Sequence, residues 1–233
     1  MGLRHDSRTV WLFDLDNTLH DAGAWVFGAL HQAMGEFTAS ALQLSLVEAQ
    51  QLNHRYWHRH GATLLGLVRH HGILPAQFLH DTHRLPGLEQ RLDAHGADLA
   101  ALRRLRGRKF IVTNAPRAYA WRVLRALRIA QLFDGLVAID DMAMFGQLRP
   151  KPDARMLRTL AVGLRVPPRR CVLVEDTLQH QKAARRVGMR TVWMQRFVRR
   201  AAAAQPLGSQ AARLSMQPAY VDLRVRRLAA LCR

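Results

Sequence analysis

Two carboxylates two positions apart are the residues of this chain best suited to chemistry. The stretch "FDLDNTL" (13–19) places Asp14 directly after an apolar run and Asp16 two positions later. If a buried strand continues through Asp14, both side chains lie on the same side of it, so that one could attack a substrate while the other handles protons. Two carboxylates this close resist ionisation, and a hard divalent cation such as Mg²⁺ relieves their repulsion.

Polar side chains also follow two later apolar segments. Thr113 and Asn114 end the segment "KFIVTN", and Glu175 and Asp176 end the segment "CVLVED". In an open parallel sheet, ligands bind beyond the carboxyl ends of the strands. Each of these residues alone is as easily a turn former or a helix cap. Their common position at strand ends predicts a single site on one rim of a sheet.

The elements that must position these residues follow an alternating pattern. Short apolar segments, rich in β-branched residues, have the length of buried strands at 9–14, 109–114, 135–140, 171–176 and 190–194. Helix-like stretches separate the later ones, which predicts βαβ units and a parallel sheet. We expect helices to begin at Asp98, Pro116, Pro152 and Thr177, the last ending at Gly188. Residues 199–214 suit a loop or weak helix, and the chain then returns as a last strand and helix.

Residues 20–95 break this alternation, because they contain no convincing strand and resemble a set of helices. Ser45 and Glu48 form a capping box, Gly61 ends that helix, Thr63 suits the next cap and Pro75 begins another helix. We therefore predict a core of residues 1–19 and 96–233 with a helical cap domain at 20–95. An insert directly after the two carboxylates could close over whatever they bind.

The bulk composition restricts the class of protein. The 233 residues carry a formal charge of +18, but only three are lysines and the arginines are scattered along the chain. This suits a solvated basic surface, attraction of anionic metabolites or, less well, nucleic-acid binding. Two cysteines, Cys171 and Cys232, make a disulfide framework improbable. No apolar stretch reaches the ~20 residues of a membrane span, and Asp14 interrupts the first apolar run before a signal-peptide core can form. We expect a soluble cytoplasmic protein.

Four motifs in order resemble those of the haloacid dehalogenase-like hydrolase superfamily. They are "FDLDNTL", "IVTNAP", "RPKPD" and "VLVEDT", and the resemblance covers roughly residues 9–197. Longer stretches, among them "YWHRHGATLLGLVRHHGI" and "VEDTLQHQKAARRVGMRTVW", are similar to the pyrimidine 5′-nucleotidase group. The resemblance implies an α/β fold with a Rossmann-like parallel sheet core and a helical cap inserted after the first strand. It also implies a Mg²⁺-dependent phosphomonoesterase.

The resemblance assigns a role to each motif residue. Asp14 would be the nucleophile and Asp16 the general acid/base. Thr113 and Asn114 would hold the transferring phosphoryl group, and Lys151 would neutralise its charge. The metal would be held by four carboxylates: Asp14, Asp16, Asp176 and Glu175. In one departure from the pattern, His180 stands where the superfamily usually has Asp or Asn, which could weaken metal binding or make it sensitive to pH.

Three functions remain open on the sequence. The first is hydrolysis of a pyrimidine nucleotide such as UMP or CMP, with Tyr56, Arg59 and His60 of the insert reading the base. The second is the same chemistry on another small phosphometabolite, a sugar phosphate or phosphoglycolate. The third is a basic nucleic-acid-binding protein on a retired hydrolase scaffold, against which the intact motif residues argue. Asp16 argues against a dehalogenase, whose reaction has no leaving alkoxide to protonate. We expect a small phosphorylated metabolite as partner, a pyrimidine nucleotide before others, with no membrane and with nucleic acid as the least favoured partner.

Overall fold

The computed structural model describes residues 6–23, 25–93, 95–203 and 216–232. The chain divides into two compact units, of which the first joins Met1–Gly23 to Arg91–Arg233 and the second is Ala24–Gln90. The strands are β1 (Val10–Phe13), β2 (Arg108–Val112), β3 (Gly135–Val137), β4 (Ala143–Met144), β5 (Gln147–Leu148), β6 (Cys171–Glu175), β7 (Arg190–Met194) and β8 (Leu223–Val225). The helices are α1 (Val26–Leu42), α2 (Leu46–His60), α3 (Thr63–His71), α4 (Pro75–Thr82), α5 (Gly96–Arg104), α6 (Arg117–Ala126), α7 (Ala154–Gly163), α8 (Leu178–Arg186) and α9 (Arg196–Ala203).

The first unit is built on a six-stranded parallel sheet in the order β3-β2-β1-β6-β7-β8. The central strand β1 is buried along its whole length, as expected for a continuous apolar strand covered on both faces. Its last residue, Phe13, is in register with Ile111 of β2 and Val174 of β6. Strands β1, β2 and β6 therefore end at nearly the same level, and the predicted α/β fold with a parallel sheet is confirmed.

Several element boundaries differ from the sequence prediction. Helix α5 begins at Gly96 rather than Asp98, with His95 at the N-cap, and Asp98 is buried. The segment 135–140 is extended only as far as Val137, and a 3₁₀ turn follows. The chain does return as a last strand, β8, but ends in a 3₁₀ turn at Leu228–Cys232 instead of an α-helix. Of the segment 199–214, the first residues belong to α9, and the remainder lies outside the described residues.

One glycine allows the sheet to form next to β1. Gly107 has a φ of +98°, and a Cβ atom there would lie 2.3 Å from the carbonyl oxygen of Thr9. The next residue, Arg108, donates its backbone N–H to that same oxygen at 3.1 Å. Only a residue without a side chain can make this left-handed turn so close to another backbone. Gly107 thereby sets the start of β2 beside β1.

The second unit contains helices α1 to α4. The capping box predicted at Ser45 and Glu48 begins α2, and Gly61 ends it in a left-handed conformation. Thr63 is not the cap of α3, as the sequence suggested, because Ala62 occupies that position and the Thr63 hydroxyl bonds to the carbonyl of Asn53. Buried polar groups join α1 and α2, since the hydroxyl of Thr38 donates to Asn53 Oδ1 at 2.9 Å.

Two predictions from composition can be compared with the described residues. Cys171 is buried and Cys232 partly buried, and neither forms a disulfide. Within the part of the chain that the structure describes, no helix has the length and apolar character needed to cross a membrane.

Candidate active site

The candidate site is formed where β1, β2 and β6 end. The ladder continues one residue past β1, because Asp14 donates its backbone N–H to Val174 at 2.9 Å. It also continues past β2, where Thr113 donates to Val137 at 3.0 Å. Asp176 follows directly after the last residue of β6. The predicted residues of three separate motifs thus lie on one edge of the sheet, and parallel pairing is the reason.

Lys151 is a buried cation between two carboxylates. Its ammonium Nζ lies 2.7 Å from Asp14 Oδ1 and 2.7 Å from Glu175 Oε2, and the residue is 1% exposed. Burial alone would lower the pKa of Lys151, but Asp14 and Glu175 outweigh it and raise that pKa. Lys151 therefore stays charged, as a buried ammonium can when it is paired on both sides.

Asn114 holds the backbone of Lys151 by two hydrogen bonds. Its side-chain Nδ2 donates to the Lys151 carbonyl at 2.8 Å, and the Lys151 N–H donates to Asn114 Oδ1 at 2.9 Å. Both polar ends of the amide are thus engaged with one residue 37 positions away. The side chain predicted to hold the phosphoryl group acts in this structure to fix the segment that carries Lys151.

Glu175 is bonded to protein groups at both oxygens. Oε2 contacts Lys151 and lies 3.0 Å from His180 Nδ1, and Oε1 accepts the backbone N–H of Thr177 at 3.2 Å. Burial would raise the pKa of Glu175, but Lys151 and His180 outweigh it and hold that pKa well below its usual range. Glu175 is positioned as an anchor for Lys151, and the unusual His180 belongs to the same cluster.

The pKa values of Asp14 and Asp176 are shifted upward, in the opposite direction to that of Glu175. Burial, reinforced by the charge of Glu175 and opposed by Lys151, raises the pKa of Asp14 to about 6. Burial and the charges of Glu175 and Asp14 raise the pKa of Asp176 well above its ordinary value. The backbone of Asp176 is fixed from the adjacent strand, because the indole Nε1 of Trp193 donates to its carbonyl at 2.8 Å.

These charges define a site that fits a divalent cation. Asp14, Glu175 and Asp176 each offer an oxygen, and the three atoms lie within 4.8 Å of one another. Lys151 compensates only one of the three negative charges. Carboxylate oxygens are the ligands that Mg²⁺ prefers, and the raised pKa values of Asp14 and Asp176 identify the two carboxylates that a cation would relieve.

Oδ1 of Asp16 contacts a phenol and an imidazole of the first unit. This oxygen accepts the hydroxyl of Tyr119 at 2.7 Å and lies 2.8 Å from His20 Nε2. Burial, followed by the charge of Asp16, raises the pKa of Tyr119, so the hydroxyl stays protonated and donates. The Nδ1 atom of His20 is buried without a hydrogen-bond partner among the described residues.

Sequence reasoning missed two partners of Asp16, His20 and Tyr119. His20 lies four residues after Asp16 in the same loop, and this spacing was an available signal. Tyr119 lies 103 residues away on α6, where its buried position resembles that of any core aromatic residue. No local pattern distinguishes it from the apolar residues of the same helix face.

Thr113 contributes a hydroxyl at the end of β2. The residue is 1% exposed, and its Oγ1 accepts the backbone N–H of Ala115 at 3.0 Å. With the oxygen fixed as an acceptor, the hydroxyl proton is left to donate to a ligand. That Thr113 holds a phosphoryl oxygen stays a prediction.

The residues predicted to read a base belong to the second unit. Tyr56, Arg59 and His60 all lie on α2. The Tyr56 hydroxyl lies 2.7 Å from His71 Nε2, and His60 Nε2 lies 3.2 Å from His70 Nε2. Arg59 is exposed. Their contact with a substrate stays a prediction.

A comparison with known protein families decides the family of this chain. Residues 9–188 match the family model of the haloacid dehalogenase-like hydrolases. The chain belongs to this family. The predicted superfamily is thereby confirmed, and the pyrimidine 5′-nucleotidase group stays a prediction.

Two curated proteins and a solved structure are similar to most of this chain. "Phosphoglycolate phosphatase, plasmid" of Cupriavidus necator is 31% identical over 205 residues, which are 78% of this chain and 78% of that protein. "Phosphate metabolism protein 8" of Saccharomyces cerevisiae is 27% identical over 165 residues, or 66% of this chain. The aligned part spans 50% of the yeast protein. The crystal structure of CbbY from Rhodobacter sphaeroides in complex with phosphate has the same fold, with a TM-score of 0.60, 21% identity and 95% of both chains covered.

Proposed function

We propose that this hydrolase is a Mg²⁺-dependent phosphomonoesterase that acts through an aspartyl-phosphate on Asp14. The observation that carries the proposal is the contrast between two carboxylates two residues apart. Asp14 has a cation, Lys151, at 2.7 Å, whereas Oδ1 of Asp16 has the hydroxyl of Tyr119 at 2.7 Å and the imidazole of His20 at 2.8 Å. A nucleophile for phosphorus needs a carboxylate beside a cation, and a proton carrier needs a carboxyl that can change its protonation.

The reaction has two steps. An oxygen of Asp14 bonds to phosphorus while the ester P–O bond breaks, and Asp16 gives a proton to the leaving oxygen. Asp16 then takes a proton from water, whose oxygen bonds to phosphorus while the bond to Asp14 breaks. Oδ1 of Asp16 accepts the Tyr119 hydroxyl and lies 2.8 Å from His20 Nε2, so these two side chains orient the carboxyl group for proton transfer. Lys151 and the Thr113 hydroxyl stabilise the negative oxygens of the transferring group.

Asp14 and Asp176 would hold the metal, with the Asp16 segment beside them. Bound Mg²⁺ would supply positive charge that lets a phosphate dianion approach these carboxylates and that stabilises the transferring group. Glu175 acts through Lys151 instead, because protein groups already contact both of its oxygens. This division modifies the expectation of four carboxylate ligands.

For the substrate we propose a nucleoside 5′-monophosphate, with UMP and CMP as the preferred bases. The support is the resemblance of the insert to the nucleotidase group and the mixture of aromatic and polar side chains on α2. A second candidate is 2-phosphoglycolate, favoured by the relative from Cupriavidus necator that is named a phosphoglycolate phosphatase. Both substrates require the same chemistry at Asp14 and differ only in the leaving group.

The test is a panel of phosphate esters assayed with Mg²⁺ and again after EDTA treatment. UMP and CMP should give the highest kcat/KM, 2-phosphoglycolate a lower one, and all activity should disappear without metal and return with Mg²⁺. The Asp14→Asn variant, purified in parallel, excludes a contaminating phosphatase. A preference for 2-phosphoglycolate selects the second candidate, and no hydrolysis of any ester with Mg²⁺ overturns the proposal.

The role of α2 has its own test. Arg59→Ala is the cleanest variant because the side chain is exposed, and we expect alanine at Tyr56, Arg59 or His60 to lower kcat/KM for UMP about tenfold at one position at least. Hydrolysis of p-nitrophenyl phosphate should change little. Arg69→Ala, an exposed arginine on α3, is the matched control. Equal losses on both esters would show that the second unit does not select the substrate.

A further inference from the structure

A cavity lined mainly by arginine side chains lies in the first unit and contains none of the residues assigned to phosphoryl transfer. Its volume is about 490 Å³, and it is lined by His95, Ala97, Arg196, Arg199, Arg226 and Arg227. Four of these six residues are arginines. A cavity of this size lies in the range of small-ligand sites, roughly 300–1,000 Å³.

The lining residues converge because of the sheet topology. Arg196 follows the end of β7 and Arg226 follows the end of β8, and the two ends are joined by a hydrogen bond from the Gln195 N–H to the Val225 carbonyl at 2.8 Å. His95 and Ala97 lie at the N-terminus of α5, where backbone N–H groups add positive potential. The cavity therefore lies at the carboxyl edge of the sheet, at the strands farthest from β3.

The carboxylate nearest this cavity is already neutralised. Asp98 is 7% exposed, and both of its oxygens bond to the guanidinium of Arg196. It also accepts the Leu228 N–H at 3.3 Å, while Arg196 Nε donates to the Arg226 carbonyl at 3.1 Å. The negative charge of Asp98 thus serves to fix Arg196 at the wall of the cavity.

The other three arginines have no such compensation. Within residues 6–23, 25–93, 95–203 and 216–232, no carboxylate forms an ion pair with Arg199, Arg226 or Arg227. Guanidinium groups held around one cavity repel each other, and an anion bound among them removes that cost. Guanidinium pairs with phosphate through two parallel hydrogen bonds, which a single ammonium cannot make.

We propose that this cavity binds a small polyanion carrying two or more phosphate groups, such as a nucleoside triphosphate. Three uncompensated guanidinium charges exceed the two charges of a phosphate monoester and suit a chain of phosphates. The site is separate from Asp14 and Lys151, so the ligand is not the substrate of the hydrolytic reaction. The proposal is independent of the proposed function, because binding can be measured without turnover.

The probe is sodium tripolyphosphate, titrated calorimetrically into the full chain in EDTA at fixed ionic strength. We expect Arg226→Gln combined with Arg227→Gln to raise the Kd at least tenfold. The matched control combines Arg169→Gln with Arg170→Gln, which removes the same charge from two adjacent arginines before β6, at the opposite edge of the sheet. The control should change the Kd less than twofold. Arg199→Gln tests the other wall of the cavity and should also weaken binding.

Each alternative outcome is decisive. Equal weakening in both double variants would mean that the net charge of the chain attracts the probe, and the proposal fails. An unchanged Kd in the Arg226/Arg227 variant would place the probe elsewhere, including at Lys151, and the proposal again fails. If tripolyphosphate does not bind but a short DNA duplex does, and the Arg226/Arg227 variant loses the duplex, the patch is a nucleic-acid contact. Arg226 and Arg227 are exposed, so an unchanged melting temperature checks that the variant is folded.

Discussion

The surroundings of Asp14 and Asp16 differ more than their spacing suggests. Asp14 belongs to a charged cluster in which Lys151 bridges it to Glu175 and Asp176 lies close by. Asp16 has a phenol and an imidazole in contact with one of its oxygens. Two residues of chain thus separate a carboxylate fixed by charge from one fixed by hydrogen bonds.

This difference explains why one site needs a carboxylate beside a cation and a second carboxylate that is held by hydrogen bonds. In the proposed reaction Asp14 must be ionised to attack, and the buried cation Lys151 favours that ionised form although burial disfavours it. The same cation beside Asp16 would resist the protonation that a general acid requires. The hydroxyl of Tyr119 orients the carboxyl group of Asp16 without adding a full charge, and in the proposed reaction this carboxyl gains and loses a proton within one turnover.

The largest expected effect comes from removing the nucleophile. Asp14→Asn should lower kcat for every phosphate ester by roughly 10⁴-fold or more, because an amide cannot form the phosphoenzyme. Asp16→Asn should behave differently: with p-nitrophenyl phosphate it should still form the phosphoenzyme and then hydrolyse it slowly. Intact-mass spectrometry of quenched reactions detects the added phosphoryl group. A phosphoenzyme in Asp14→Asn, with deamidation excluded by peptide mapping, would overturn the assignment.

The second effect separates the two adjacent acids of the charged cluster. Asp176→Asn should raise the Mg²⁺ concentration for half-activation tenfold or more, because it removes a ligand. Glu175→Gln should change that concentration less than threefold while lowering the melting temperature, because it removes one partner of a buried cation. Titrations of activity against Mg²⁺ measure both. A larger shift for Glu175→Gln than for Asp176→Asn would show that Glu175 binds the metal.

The third effect concerns stability and pH in the metal-free protein. Burial raises the pKa of Asp14 to about 6, above its ordinary value of 3.8, so between these values the folded state binds more protons than the unfolded state. Stability must then decrease as pH rises through this range. Relative to Asp14→Asn, the wild type should lose about 2 kcal/mol between pH 4.5 and pH 7. Urea unfolding in EDTA at both pH values measures the difference. Parallel stability curves for the two proteins would contradict it.

The smallest effect concerns the hydrogen bond from Tyr119 to Asp16. Tyr119→Phe should lower kcat/KM for alkyl phosphates about tenfold and change that for p-nitrophenyl phosphate little, since a good leaving group does not need the proton from Asp16. The pH profile for the alkyl ester should shift as well, because one donor to Asp16 is gone. Equal losses on both esters with an unchanged pH profile would mean that Tyr119 is only part of the core.

The sheet and its polar edge could be predicted because each depends on local sequence. Buried central strands need continuous apolar segments, so β1 and β6 are visible as short runs that end at Asp14 and Glu175. Parallel pairing then brings the ends of such runs together whatever the loops do. Lys151 was found through its motif, but that it joins Asp14 to Glu175 depends on a contact across 137 residues of chain.

The division of labour among the carboxylates could not be predicted in the same way. Glu175 and Asp176 are neighbours of similar chemistry, and only their positions in space separate the anchor of Lys151 from a metal ligand. Successive side chains of a strand point to opposite faces, and this alternation indicates that Glu175 and Asp176 point in different directions. Tyr119 was missed because a buried tyrosine on a helix resembles core packing until its hydroxyl is found on Asp16.

The two hydrogen bonds between Asn114 and Lys151 have a consequence for how this corner of the protein can change. They involve the main chain of Lys151 and leave its side chain out. The position of this loop therefore depends on residue 114, and the charge that the loop carries depends on residue 151. Mutation can alter one of these properties while conserving the other. A lineage could lose the charge at residue 151 while the loop stays in place, and a single substitution could then restore that charge.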